Sequence, residues 1–425
     1  MNVAVIGSGG REHALCFQLL KSKEIENLFC IPGNAGTKNI CQNIDIDYLD
    51  FDLLYSILQE NDIKVVIVGP EIPLVAGIVD YLSKKNIYAF GPSKKASQLE
   101  GSKAFMKKLC KDFNIPTAQY EEFDNFEEAK NFIEKNQHPL VIKADGLAAG
   151  KGVTISSTID ESLKSIKEIL DGKFKSSKKL IIEEFLQGEE ASYFVITDGE
   201  HYIPIGTAQD HKRIGEGDTG PNTGGMGAYS PSLIIDHNLE KKIQTKIIEP
   251  TLDGLNKLGC KFTGILYAGL MIYNGEPKLI EYNIRFGDPE CQVLMMRLKT
   301  NLFTLINAVK NKTIHTMNIE WNEKPCLTVV AAAKGYPEKY NTLTEIKNIE
   351  SLKINDQEQL FHAGTISKNN KILSNGGRVL NATCLGITLE DAKNKANAML
   401  EKIDWQDMYY RKDIGWRAFK KTSLV

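Results

Sequence analysis

No Cys-x-x-Cys pair occurs in this chain, and its 7 histidines and 8 cysteines fall at none of the spacings that mark a zinc site. Without such pairs and without an export signal, Cys16, Cys30, Cys41, Cys110, Cys260, Cys291, Cys326 and Cys384 read as reduced thiols of a cytoplasmic protein. The opening apolar run, Met1 to Ile6, is too short for a secretory segment and gives way at once to glycines. Long apolar runs are missing, so no membrane span is expected. A formal net charge of −2 supplies no basic field, so neither nucleic acid nor an anionic membrane is an expected partner. Internal repeats and low-complexity tracts are also missing. What is there is an ordinary globular composition, 42% hydrophobic and 25% charged, sufficient for a large core. A length of 425 residues implies about two to four domains. The expected partners are small molecules, and the expected state is a monomer.

Strands are expected at Asn2–Ile6, Asn27–Ile31, Lys64–Val68 and near Tyr88–Phe90, with helices at Glu12–Leu20 and Leu74–Ser83. That alternation implies a parallel α/β sheet with helices on both faces, assigned to residues 1–101. A central domain, residues 102–324, begins with a helix at Ser102–Phe113. Within it, residues from about 119 to 190 form a small α+β unit suited to a mobile lid. Its strands are Gln119–Phe123, Leu140–Lys143 and Leu180–Glu184, and its helices are Asn125–Lys135 and Ile159–Leu170. A hairpin turning at Asp198-Gly199 follows, then a long polar loop from Gln209 to Met226 and a long helix at Asn238–Leu258. Thr263–Tyr273 and Pro277–Ile284 form a second hairpin around Asn274-Gly275. A fresh buried strand at Cys326–Ala333 opens a small C-terminal α+β domain, residues 325–425.

The richest stretch is Leu279-Ile-Glu-Tyr-Asn-Ile-Arg-Phe-Gly-Asp-Pro-Glu-Cys-Gln292. Glu281, Asn283 and Arg285 alternate along it, so a strand aims all three at one face and sends Tyr282 and Ile284 to the core. A carboxylate beside an amide oxygen suits a hard cation such as Mg²⁺, and an arginine one step further suits an anion. Asp288 is placed to cap a helix that Pro289 starts. Scattered charges on a solvated strand are the plain alternative.

Two glycine loops stand elsewhere. The first, Gly7-Ser-Gly-Gly-Arg-Glu-His13, follows a strand and opens a helix, as in dinucleotide sites. Glu12 occupies the place of the last glycine, however, and the second strand ends in Ile31-Pro-Gly-Asn34 with no acidic residue for a ribose. That disfavours an NAD-dependent oxidoreductase and leaves a small-anion site with Arg11 adding charge. The second loop runs from Ala144 to Val153. It lacks the Walker pattern, since Gly152 rather than Ser or Thr follows Lys151. Lys103 and Lys143 are candidates for nucleotide phosphates, with Gly150, Lys151 and Gly152 folding over them. Glu183-Glu-Phe-Leu-Gln-Gly-Glu-Glu190 reads as a hinge: Glu184, Phe185 and Leu186 lie where an adenine edge is read, and Glu190 where ribose hydroxyls are held.

The order of these motifs resembles the ATP-grasp superfamily and, within it, the glycinamide ribonucleotide synthetase family. The resemblance rests on Gly7–Ala14, Gly69-Pro-Glu-Ile-Pro-Leu74, Val141–Gly152, Gln209-Asp-His-Lys-Arg213, Thr223-Gly-Gly-Met-Gly-Ala228 and, most specifically, Arg285-Phe-Gly-Asp-Pro-Glu290. It covers nearly the whole chain. It implies a central ATP-grasp domain that uses ATP, with Mg²⁺ or Mn²⁺, to activate glycine for attack by 5-phosphoribosylamine in purine synthesis. By the same resemblance Glu281 and Asn283 hold the metal, and Lys103, Lys143 and Glu183 serve the nucleotide. Arg285 faces the glycine carboxylate or acyl phosphate. Gly9, Gly10, Arg11, Glu71, Asp288 and Arg378 meet the ribosylamine, and Asp210, Lys212 and Asn222 shape the glycine and phosphate site. Many relatives carry a further acidic metal ligand on the preceding strand. Here that strand reads Tyr267-Ala-Gly-Leu-Met271, with no carboxylate.

Overall fold

The computed structural model describes residues 1–147, 152–173 and 179–422, with side chains up to residue 419. The chain begins with five parallel strands in the spatial order Gln42–Asn43, Asn27–Pro32, Asn2–Gly7, Ile63–Val68, Tyr88–Phe90. Val3, Ala4, Val5 and Ile6 are fully buried, because a strand covered on both faces must be apolar on both. Strand order reverses beside Asn2–Gly7. The loops after it and after Ile63–Val68 therefore open a crevice at the carboxyl ends, the usual ligand position in such sheets. The helix expected over Leu74–Ser83 is two short helices, Glu71–Ala76 and Ile78–Ser83. Gly77 separates them with a left-handed backbone at φ +101°.

A larger antiparallel sheet forms the body of the molecule. Its order is Glu276–Asn283, Gly264–Tyr273, Glu189–Thr197, Tyr202–Asp210, Gly227–Ser230, Cys326–Ala333, Arg378–Leu385, Glu358–His362, and Met408–Tyr409 also pairs with Cys326–Ala333. The strand Cys326–Ala333 bonds directly to Gly227–Ser230, so the sheet runs without a gap through residue 325. Asn274 and Gly275 both have positive φ in the turn that pairs the first two strands, the geometry an Asn-Gly hairpin requires. The expected helix over Asn238–Leu258 is His237–Ile243 and Glu249–Lys257 joined through a π-turn at Gln244–Ile248, where Pro250 removes a backbone donor.

The lid-like unit has its own four-stranded sheet in the order Tyr120–Phe123, Leu180–Glu184, Leu140–Ala144, Val153–Ser156. Helices Phe126–Lys135 and Ile159–Leu170, capped by Asn125 and Thr158, cover it. Ala129, Ile133, Ile142, Ile166 and Ile182 form a small core of their own, separate from the main ones.

Helix Glu290–Arg297 is buried along its entire length, polar residues included. It lies between helix Gly10–Leu19 and the large sheet, and so ties the N-terminal crevice to the body. The expected cap by Asp288 does not form, because its carboxylate accepts bonds from Gln292 Nε2 (2.9 Å) and the Arg11 N–H (3.4 Å) instead. Phe361, fully buried, closes the same seam edge-on to His13 (5.4 Å) and Phe17 (5.7 Å). Phe361→Ala is expected to cost about 3–5 kcal/mol in urea denaturation. A loss below about 1 kcal/mol would show that this seam is not a packed core.

Candidate active site

A cavity of about 980 Å³ opens where the crevice, the lid sheet and the strand Glu276–Asn283 meet. Of the candidate residues, Arg11, Glu71, Lys103, Lys143, Glu183, Glu184, Phe185, Leu186, Glu190, Asp210, Lys212, Asn222, Glu281, Asn283, Arg285, Asp288 and Arg378 all line it. Gly9, Gly10 and Gly152 do not. Gly150 and Lys151 fall outside the described residues.

Glu281 and Asn283 reach the cavity because they alternate on one strand, while Tyr282 and Ile284 are buried behind them. Tyr282 is anchored through its hydroxyl to Thr251. Burial works to raise the Glu281 carboxyl, yet Lys212, Lys143, Lys103 and Arg285 together leave it below the ordinary glutamate value. It is therefore an anion at neutral pH. Among the described residues, neither side chain is engaged in a hydrogen bond. One anionic and one neutral oxygen donor, uncommitted and facing a cavity, fit a hard divalent cation that completes its shell with water and phosphate. Tyr267 pairs with Asn283 and Gly269 with Glu281, so the preceding strand offers no carboxylate at this level.

The lid side supplies cations. Glu183 is buried between two lysines, with Lys143 Nζ at 2.8 Å and Lys107 Nζ at 3.2 Å. Burial lowers Lys107 below the ordinary lysine value, with Glu183 opposing. Sequence reasoning missed Lys107, although its spacing from Lys103 puts both on one face of helix Lys103–Asp112. It also missed Asp145, which accepts the Lys103 N–H (2.7 Å) and so docks that helix start on the second glycine loop. Lys103 Nζ donates to the Gly146 carbonyl (2.9 Å), and the Gly152 carbonyl accepts from the Ala144 N–H (2.8 Å), closing the loop at its base. The Glu184 side chain turns to Lys278 (3.0 Å), leaving the backbone of this hinge on the cavity wall.

On the opposite wall Arg285 does not stand free. It donates to Glu71 (3.2 Å) and Glu100 (2.9 Å). Burial opposes its charge, but Glu100 and Glu71 more than offset this and raise it. Glu100, unnoticed in the sequence because its polar contacts lie far along the chain, is pushed up to about 7 by burial. The first glycine loop is self-contained: the Gly9 N–H donates to Glu12 (2.6 Å), and Gly10 packs against Asn381 and Gln292. In this arrangement Gly9 and Gly10 stand back from the cavity lining, and the Gly9 N–H is taken by the Glu12 carboxylate. Arg11 Nε also pairs with Glu12 (2.6 Å), and Arg378 donates to the Gly224 and Asp288 carbonyls (both 2.6 Å).

The segment read as a loop from Gln209 to Met226 is ordered as a hairpin, Arg213–Gly215 with Thr219–Asn222. Arg411, its side chain 0% exposed, pins it through Asp218 (2.9 Å) and the Arg213 carbonyl (3.0 Å). Lys212 bonds Glu190 at 2.9 Å. Asp210 is pushed up to about 8, first by burial and then by Glu290, Glu190 and Glu281, with Lys212 opposing. Glu290, which ends the Arg285–Glu290 motif, lines the cavity and accepts from Tyr267 Oη (2.8 Å).

A four-stranded lid sheet and an antiparallel body, with lysines on one wall and a Glu-x-Asn pair on the other, define an ATP-grasp ligase. The fold alone is shared with the biotin carboxylase domain of a Hydrogenobacter thermophilus 2-oxoglutarate carboxylase. That domain is 16% identical, with a TM-score of 0.76 and coverage of 97% of this chain and 92% of that one. Closer relatives narrow the class. A phosphoribosylamine–glycine ligase of Brucella melitensis is 48% identical over 100% of this chain and 99% of its own length. The chloroplastic enzyme of that name from Arabidopsis thaliana is 46% identical over 98% of this chain and 80% of its own length. The crystal structure of the Thermotoga maritima phosphoribosylamine–glycine ligase, 33% identical, superposes with a TM-score of 0.83 over 97% of this chain and 100% of that one. Residues 1–100, 101–291 and 326–417 match the N, ATP-grasp (A) and C domains of phosphoribosylglycinamide synthetase. The chain belongs to the phosphoribosylglycinamide synthetase family, whose ATP-grasp ligases use ATP and a divalent metal.

Burial raises the Asp288 carboxyl, but Arg378 and Arg11 more than reverse this and hold it below the ordinary aspartate value. A depressed folded value contributes stability that is present in full above the unfolded value of about 4 and is lost as pH falls through the folded one. Asp288→Asn is therefore expected to flatten the acid limb of melting temperature against pH below about 4. An unchanged acid limb would remove Asp288 as a linkage group.

Proposed function

We propose that this chain joins glycine to 5-phosphoribosylamine with cleavage of ATP to ADP and phosphate, the second step of purine synthesis. The observation that carries the proposal is one cavity whose lid wall bears Lys103 and Lys143, whose floor bears Glu281 and Asn283, and whose far wall bears Arg285 and Asp288. Glycine's carboxylate, ionised at neutral pH, attacks the γ-phosphoryl without needing a base. ADP leaves and glycyl phosphate forms. The ribosylamine nitrogen then attacks the acyl carbon, phosphate departs with its bonding pair, and the amine loses a proton as the amide forms.

Two anions must meet in the first step, so positive charge has to be in place beforehand. Lys103 and Lys143 supply it from the lid side, held by Gly146 and Glu183. Glu281 and Asn283 hold the divalent ion, which offsets phosphate charge when bound; their hard oxygen donors favour Mg²⁺ over softer ions, with Mn²⁺ as a substitute. Glu184, Phe185 and Leu186 bound the adenine pocket, and Glu190 takes the ribose with Lys212 beside it. Arg285, already neutralised by Glu71 and Glu100, keeps a rigid edge towards the acyl group. Arg11, Glu71, Asp288 and Arg378 surround the ribosylamine, while Asp210, Lys212 and Asn222 border glycine.

Glycyl phosphate hydrolyses readily, so the segment from Ala144 to Val153 serves as a closing lid on a subdomain with its own core. Residues 1–101 bind the ribosylamine, 102–324 the nucleotide, and 325–425 close the back of the site. The enzyme works on small molecules as a monomer in the cytoplasm, a reducing compartment that suits its 8 free cysteines.

Purified protein is expected to release ADP only when glycine and phosphoribosylamine are both supplied with ATP; no release with all three present sinks the proposal. Glu281→Ala should lower kcat roughly a hundredfold to a thousandfold or more while leaving the circular dichroism spectrum unchanged. Near-normal turnover would remove Glu281 from the metal site.

A further inference from the structure

At the far end of the strand that begins at Glu189, the turn between Glu189–Thr197 and Tyr202–Asp210 meets the short helical turn Ile314–Thr316. Asp198, His201 and His315 come together there, with one ligand atom from each within 4.8 Å of the others. Among the described residues this is the one such grouping of His, Cys, Asp and Glu. None of the three lines the ATP cavity.

The geometry is more than a capped turn. Asp198 Oδ1 accepts the N–H groups of Glu200 (2.9 Å) and His201 (2.7 Å), which fixes the plane of the carboxylate. The Asp198 side chain is 0% exposed, and its other oxygen, Oδ2, faces His201 Nδ1 at 3.7 Å. The Ile314 N–H also donates to that oxygen at 3.4 Å, which leaves Oδ2 a second lone pair for an ion. The imidazoles of His201 and His315 stand 4.3 Å apart, tilted by 42°. The turn uses Oδ1 and the Ile314 N–H takes one lone pair of Oδ2, but neither bond calls for a second histidine delivered from another part of the chain. The nearby Glu200 carboxylate is occupied by Lys312 (2.8 Å) and Lys261 (3.4 Å), so it does not compete for the same ion.

We propose that Asp198, His201 and His315 form a Zn²⁺ site separate from the ATP cleft. Two imidazoles and a carboxylate suit a borderline ion better than Mg²⁺. Bonds of about 2.0–2.2 Å place tetrahedral ligand atoms roughly 3.3–3.5 Å apart. The 3.7 Å pair is already close to that spacing, and the two exposed histidines can rotate to bring the third atom in. A water completes the fourth position. Bound Zn²⁺ staples the end of strand Glu189–Thr197, whose other end carries Glu190 into the cleft, to the segment after helix Leu302–Lys310.

The test is calorimetric titration of Zn²⁺ into the intact protein, with Co²⁺ absorption as a second probe. The titration is repeated on His315→Ala, on His201→Ala/His315→Ala and on Glu281→Gln. The expected result is one equivalent of Zn²⁺ with four-coordinate Co²⁺ bands. Affinity should weaken roughly tenfold or more in His315→Ala and be retained in Glu281→Gln. Both histidines are exposed, so their loss leaves the fold intact, checked by circular dichroism. Zn²⁺ affinity unchanged in the histidine variants, or lost in Glu281→Gln instead, overturns the site, as does failure of the unaltered protein to bind Zn²⁺.

Discussion

Buried ion pairs hold this molecule around its cleft. A charge taken out of water costs several kcal/mol unless a partner is built in beside it. Here the partners come from distant parts of the chain. Glu183 on the lid sheet neutralises Lys143 on the neighbouring strand and Lys107 on the helix below. Glu71 after strand Ile63–Val68 of the parallel sheet and Glu100 before the central domain neutralise Arg285 on the body. Asp288 meets Arg378 from the C-terminal end of the large sheet. All but the Glu183–Lys143 pair, which lies within the lid sheet, cross a seam between units, so the contacts that satisfy those charges also set the cleft's width and direction.

This pairing leaves Glu281 and Asn283 as the uncommitted donors at the centre. The surrounding lysines and Arg285 keep Glu281 ionised despite its burial. The site is therefore a balanced field before any ligand arrives, which is what joining two anions demands. Helix Glu290–Arg297 transmits the arrangement backwards. Its buried faces touch the N-terminal helix and the sheet together, so the turn at Asp288 cannot shift without disturbing both.

Much of this could be read from the chain. Alternation along Glu281, Asn283 and Arg285 predicts a shared face, and the structure places all three on the cavity wall, because strand periodicity is local. The parallel sheet, the lid strands and the hairpin at Asn274-Gly275 follow for the same reason. The polar segment from Gln209 to Met226 was not legible as a hairpin, since its order comes from Arg411, far away in sequence. Nor was the self-capping of the first glycine loop: Glu12 could be seen to replace a glycine, but not that its carboxylate turns back to take the Gly9 N–H. Lys107 and Glu100 escaped notice because a lone charge is ordinary until its partner is known.

The sequence by itself determined the strands of the parallel and lid sheets, the Asn274-Gly275 hairpin, the order of the motifs, the family they point to, and the oxygen-donor pair offered to a metal. These depend on periodicity, turn chemistry and short spacings, all set within a few residues. Tertiary structure alone decided which charges are spent on one another and which remain open to ligands. It decided that the sheet continues through Cys326, and that Asp198, His201 and His315 meet although no histidine spacing announces them. Contacts between residues far apart in the chain depend on how sheets stack and helices seat, and no local pattern encodes that.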